Sequence, residues 1–92
     1  MIKSFRHKGL KALYEEDSAR GVQPAQAKRL KLLLARLEAS HTPEDMDLPG
    51  LKLHKLGGAR QGTYAVSVSG NWRLTFEFDQ GDAIHVNLED YH

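Results

Sequence analysis

The chain has 92 residues, 40% hydrophobic and 27% charged, with Cys 0; at the usual scale of ~100 residues per domain this predicts one domain over residues 1–92. Without thiols there is no disulfide framework, no thiolate nucleophile and no Cys-ligated metal, nothing requires an oxidising compartment, and the cytoplasm is the expected location. The net charge of +1 conceals a split, nine Lys/Arg against six Asp/Glu over residues 1–46 and four against six over residues 47–92, so any anion site has to be local.

The opening MIKSFRHK contains no apolar core of an export signal. The longest apolar run, residues 32–35, is far short of the ~20 residues that cross a bilayer, so neither export nor membrane insertion is expected. Residues 2–5 predict a short opening strand. Leu10, Leu13 and Tyr14 then fall at i, i+3, i+4 and predict a helix over residues 7–18, with Gly21 as its stop. Pro24 suits a helix start, and Ala27, Leu30, Leu33, Leu34 and Leu37 keep helical spacing as far as residue 40. The other face of that helix carries Lys28, Arg29, Lys31, Arg36 and Glu38, either a solvated face or a docking surface for nucleic acid or a partner.

After residue 50 the period becomes two. Leu51 and Leu53 alternate with Lys52 and His54, and Tyr64, Val66 and Val68 alternate with Ala65 and Ser67. A turn at residues 69–71 leads into Trp72, Leu74, Phe76 and Phe78. A second turn at residues 79–82 leads into Ile84, Val86 and Leu88. The expected fold class is α+β: two N-terminal helices packed on one face of a mainly antiparallel β-sheet, whose other face stays open. The Gly-rich stretch 55–62 has no nucleotide-binding fingerprint and reads as a flexible connector or as backbone that approaches a phosphate.

Arg73 projects opposite the Trp72–Leu74–Phe76 stripe, because successive strand residues point to opposite faces. There it either pairs with Glu77 or Asp79 or clamps a phosphate with its fork of donors. His54 alternates outward in the same way. The cluster Glu89-Asp90-Tyr91-His92 follows the last strand with an acid, a phenol and an imidazole, the side chain most readily recruited for proton transfer near neutral pH.

These residues carry a resemblance: Lys52-Leu53-His54, Gly62, Asn71-Trp72-Arg73-Leu74-Thr75-Phe76, Gly81-Asp82-Ala83 and Glu89-Asp90-Tyr91-His92. Over almost its whole length the sequence closely resembles the HigB toxins of the RelE/ParE superfamily. The resemblance implies a RelE-like microbial RNase fold and a toxin of a type II toxin–antitoxin system. It further implies a ribosome-dependent, metal-free endoribonuclease that enters the A site of the 70S ribosome, cuts messenger RNA there and inhibits translation. A HigA-type helix-turn-helix antitoxin is the implied partner, with DNA contacted only through that antitoxin and no membrane. No cofactor is expected.

Carried over position by position, the resemblance makes His54, Arg73, Asp90, Tyr91 and His92 the candidate catalytic residues and Asn71 a substrate contact. His54 and His92 would share the base and acid roles, Arg73 would clamp the phosphate, Asp90 would orient an imidazole or act as base, and Tyr91 would stack or donate a hydrogen bond. Gly57 departs from relatives that carry a lysine there, so either Lys55 on the Gly-flanked loop supplies the charge or the chain cuts more weakly, with Lys52 and Arg60 as further candidates. The competing readings are a ParE-like inhibitor of DNA gyrase and a non-catalytic RNA-binding module of the same fold.

Overall fold

The computed structural model describes residues 1–91. It contains α1 (Lys8–Glu16), α2 (Pro24–Glu38), a 3₁₀ turn at Pro43–Met46, β1 (His54–Lys55), a second 3₁₀ turn at Gly58–Arg60, β2 (Tyr64–Ser69), β3 (Trp72–Asp79) and β4 (Asp82–Asp90). The four strands lie in the order β1-β2-β3-β4, each antiparallel to the next. This is the expected α+β meander.

His7 caps α1, its Nδ1 accepting the Leu10 N–H at 3.1 Å, and so satisfies one of the donors that a helix start leaves free. The helix ends at Glu16 because Asp17 turns left-handed at φ 55 and its N–H returns to the Ala12 carbonyl. Gly21 is therefore not the stop. It serves instead as a contact point, since a Cβ on Gly9 would stand 2.2 Å from the Gly21 carbonyl oxygen. The loop before α2 is pressed directly onto the backbone of α1.

Both helices turn Leu10, Leu13, Leu30, Leu33, Leu34 and Leu37 toward Val66, Val68, Leu74, Phe76, Val86 and Leu88 of the sheet, and all of these are buried. At ~1.5–3 kcal/mol for each fully buried large apolar side chain, this layer is the main source of stability. A polar knot adds to it where Tyr14 on α1 donates to the Glu38 carboxylate of α2, which also accepts the Ile2 N–H at 3.0 Å. Burial, and then the neighbouring carboxylate, push the Tyr14 phenol up to about 12.

Three local expectations differ from the structure. Residues 2–5 do not form a full strand but run parallel to β4 through two bridges, Ile2 to Ala83 and Phe5 to Val86. Between them His85 takes φ 54 and donates its N–H to Ser4 Oγ at 2.8 Å, which makes a bulge. The bulge shifts the phase of β4, so that Ala83 rather than Ile84 joins Val86 and Leu88 in the core. At the other edge Lys52 sits at φ 54 and interrupts the alternation that begins at Leu51. Paired strand therefore starts only at His54, and Lys55 lies in β1 rather than in a free loop.

The sheet face away from the helices is not fully open. The loop from β1 to β2 crosses it, and Arg60 reaches β4 to form a bidentate pair with Glu89, at 2.7 Å and 2.5 Å. Thr75 on β3 donates to the same carboxylate at 2.7 Å and is buried beneath the crossing.

Candidate active site

Strand register decides which candidate side chains share a face, because directly opposed residues of an antiparallel pair point the same way. Arg73 is opposed to Ser67 on one side and to Glu89 on the other, and His54 is opposed to Ala65. The face away from the helices therefore carries His54 on β1, the small residues Ala65 and Ser67 on β2, Arg73 on β3 and Glu89 on β4. The strip of sheet that runs from His54 across the small residues Ala65, itself buried, and Ser67 to Arg73 is the trough of the candidate site.

Two backbone carbonyls hold Arg73. Its Nη1 donates to Gly70 at 2.8 Å and to Trp72 at 3.0 Å, and among the described residues it takes part in no ion pair. The pairing with Glu77 or Asp79 is not formed; Glu77 instead faces His85 Nδ1 at 3.0 Å and Arg6 at 4.0 Å. Because both contacts use Nη1, the Nε and Nη2 edge remains as a preset fork for an anion.

His54 is exposed, and its Nδ1 lies 3.0 Å from the Lys52 carbonyl oxygen. A carbonyl only accepts, so Nδ1 carries the proton, and in the neutral ring Nε2 presents its lone pair outward. The left-handed turn at Lys52 aims that carbonyl; the feature that shortens β1 also sets the tautomer of its histidine.

Asn71 occupies the two-residue turn between β2 and β3, with Gly70 ahead of it at φ 52. The Asn71 carbonyl accepts the Tyr91 N–H at 2.9 Å, which fixes the residue after β4 beside this turn. The Tyr91 hydroxyl is buried and finds no hydrogen-bond partner among the described residues. Nearby, the Arg60 guanidinium is held charged chiefly by the hydrogen-bonded Glu89 carboxylate.

The remaining candidates are placed differently. Arg60 has its charge engaged by Glu89, whose own carboxyl is held below the usual range chiefly by Arg60. Lys55 opposes Tyr64, which puts it on the helix side of the sheet rather than with His54. Asp90 opposes Trp72 and so belongs to the same helix side, at the very end of the strand. Lys52 is exposed next to His54. His92 lies outside the described residues.

Register thus puts His54 and Arg73 on one face, with Tyr91 tied through its N–H to the Asn71 turn and Lys52 next to His54, and it adds to that face Thr75 and Glu89, which the sequence motif contained without a role. The signal for both was present in the period-two alternation, which puts them on the face of Arg73. Beside the Arg60–Glu89 crossing the same face holds a polar concavity of ≈ 260 Å³ lined by Thr75, Glu77, His85 and Asn87. Among the described residues no group of three or more His, Asp or Glu is placed to hold a metal ion, and no helix is long and apolar enough to cross a membrane.

Comparison with known proteins identifies the family. A family model described as the RelE-like toxin of the type II toxin–antitoxin system HigB matches residues 3–92. The chain is also 41% identical to the endoribonuclease HigB of Proteus vulgaris over 92 residues, covering 100% of each chain. Similarity across the full length of both, carried by one family model, means that the chain belongs to the HigB-like family of RelE-like toxins of type II toxin–antitoxin systems.

Proposed function

We propose that this toxin is an endoribonuclease that cuts messenger RNA held in the ribosomal A site, in the cytoplasm, by general acid and base catalysis. The observation that carries the reading is Arg73, a guanidinium fixed by two carbonyls with its other edge presented on the sheet face. Such a fork suits the extra negative charge of a pentavalent phosphate and needs no rearrangement at the moment of reaction.

In the reaction the ribose 2′-oxygen attacks phosphorus, its proton passes to a base, and the bond to the departing 5′-oxygen breaks as an acid protonates that oxygen. His54 fits the base role, since its Nδ1–H is engaged by the Lys52 carbonyl and Nε2 remains to accept. His92 is proposed as the acid, Asp90 as the group that orients an imidazole, and Tyr91 as a hydrogen-bond donor at the phosphate. Asn71 reads a base edge with its paired donor and acceptor. Lys52 supplies the local charge in place of a residue at Gly57. Arg60 and Lys55, engaged and turned away respectively, act at most indirectly.

A small trough of this kind holds few contacts with a flexible RNA, so positioning has to come from elsewhere; the ribosome supplies it by presenting the message in a bent geometry suited to in-line attack. The proposed partner that silences the toxin is a HigA-type antitoxin.

The test is translation of a defined message in a reconstituted system with purified toxin, the RNA ends being mapped by primer extension. Wild-type protein gives cuts within A-site codons. His54→Gln lowers the single-turnover rate by about 10²–10⁴-fold, and Arg73→Ala by about 10²–10³-fold. Intact message with wild-type toxin, or full activity in both variants, refutes the assignment.

A further inference from the structure

A second concavity lies on the helix side, at the edge of the candidate site. It encloses ≈ 430 Å³, and His7, Arg20, Val22, Gln26, Trp72 and Leu88 are among the residues that line it. The close approach of Gly9 and Gly21 sets the loop that forms its wall. Trp72 connects it to the trough: Trp72 stands between Asn71 and Arg73 in sequence and opposite Asp90 in register. The pocket therefore begins where the trough ends.

Gln26 is the unusual group. It comes from α2, is only 4% exposed, and donates from Nε2 to Ser69 Oγ at 3.0 Å, while its buried Oε1 has no partner among the described residues. Whichever way the amide is turned, one of its polar atoms is left over, and an unsatisfied buried amide atom is costly to keep. In the same pocket the His7 Nδ1 is occupied by the Leu10 N–H, so its ring proton sits on Nε2. Arg20 is exposed at the pocket and is in no ion pair among the described residues.

We propose that this pocket is a subsite for one nucleotide of single-stranded RNA flanking the cleaved bond, with the base against Trp72, its polar edge paired with the Gln26 amide and its phosphate on Arg20. The chemistry matches part by part. An indole offers a stacking surface to any base, a primary amide matches the donor and acceptor pair of a base edge, and an unpaired guanidinium takes a phosphate. Val22 and Leu88 supply the apolar walls that exclude water from the stack. The inference deepens the nuclease reading and rests on it for the identity of the ligand.

Trp72 is the single tryptophan of the chain, so tryptophan fluorescence reports on the surroundings of this one residue, and the Gln26 and Arg20 variants tie the signal to the pocket. The probe is a trinucleotide RNA with 2′-O-methyl groups, which cannot be cut, titrated onto the full chain while anisotropy of an end label reads total binding. Saturable quenching is expected, weakened about tenfold in Gln26→Met and in Arg20→Ala. On ribosome-bound message the same variants raise KM about tenfold and leave kcat within about twofold. Gln26→Met is close in shape and removes the unsatisfied atom, so its thermal midpoint does not fall.

Binding by anisotropy without any change in Trp72 emission overturns the proposal, as does wild-type affinity in Gln26→Met. Quenching by the antitoxin but not by RNA overturns it too, and assigns the pocket to the protein partner. Failure of the nuclease reading is distinct: it appears as intact message with wild-type toxin, whereas quenching is measured on RNA that never reacts.

Discussion

Arg60 and Arg73 share a face of the sheet in opposite electrostatic states. Arg60 spends its fork on Glu89, whereas Arg73 spends one nitrogen on carbonyls and keeps its fork available. Their substitutions therefore separate. Arg60→Ala releases the crossing loop and costs about 1 kcal/mol, because a partly exposed pair is screened by water. Its pH dependence has a definite sign: Glu89 is held below its ordinary value of 4.5 by Arg60 first and Thr75 among the lesser causes. Stability from the pair is present above the unfolded-state value and is lost as pH falls through the lower folded one. The gap in thermal midpoint between wild type and Arg60→Ala should thus be full at neutral pH and narrow as the pH falls below the ordinary Glu value of 4.5. A second substitution tests the loop contact. Gly9→Ala gains helix propensity, yet its Cβ meets the Gly21 carbonyl, so denaturant unfolding should show a net loss of about 1–3 kcal/mol.

Turns and bulges account for what could and could not be read among the elements. Gln80 and Gly81 both take positive φ, 51 and 85, the pattern of a type I′ hairpin turn, in which Asn-Gly is the favoured pair. Gln80→Asn should therefore stabilise the protein by about 0.5 kcal/mol in chemical denaturation. The sequence shows this turn plainly, because Gly lies beside Asp between two alternating runs; the helices are equally plain from the spacing of Leu30, Leu33, Leu34 and Leu37. Less visible were Lys52 and His85, ordinary residues held left-handed by tertiary contacts rather than by their own preference. Each changes a face: His85 moves Ala83 inward in place of Ile84, and Lys52 delays β1 and aims a carbonyl at His54. The catalytic candidates were legible as residue types and motif, but their division between two faces was not. Periodicity placed Arg73 correctly, whereas Asp90 and Lys55 required the observed register to be set on the helix side.

At the scale of the molecule, the chain is nearly neutral and measures 31 × 29 × 26 Å, with a net charge of +1. On the proposed reading, attraction for RNA is then a matter of a few local cations, chiefly Arg73, Lys52 and Arg20. For single strands each neutralised phosphate contributes about −0.7 to the slope of log affinity against log salt, so the two phosphates of a trinucleotide give at most about −1.4. A titration of the uncut trinucleotide between low and physiological salt checks this, and a much steeper slope would implicate the basic face of α2 as well.

The pairing of residues 2–5 with β4 bears on how the molecule comes into being. Ile2 meets Ala83 and Phe5 meets Val86, contacts that span most of the chain and close only after a long loop has been ordered. During synthesis the first segment waits, edge exposed, for a strand made much later. That strand also carries Glu89 to the Arg60 crossing and Tyr91 to the turn at Asn71. Closure of the fold and completion of the trough are one event. A growing chain that stops short of β4 lacks both a finished core and the strand that completes the trough.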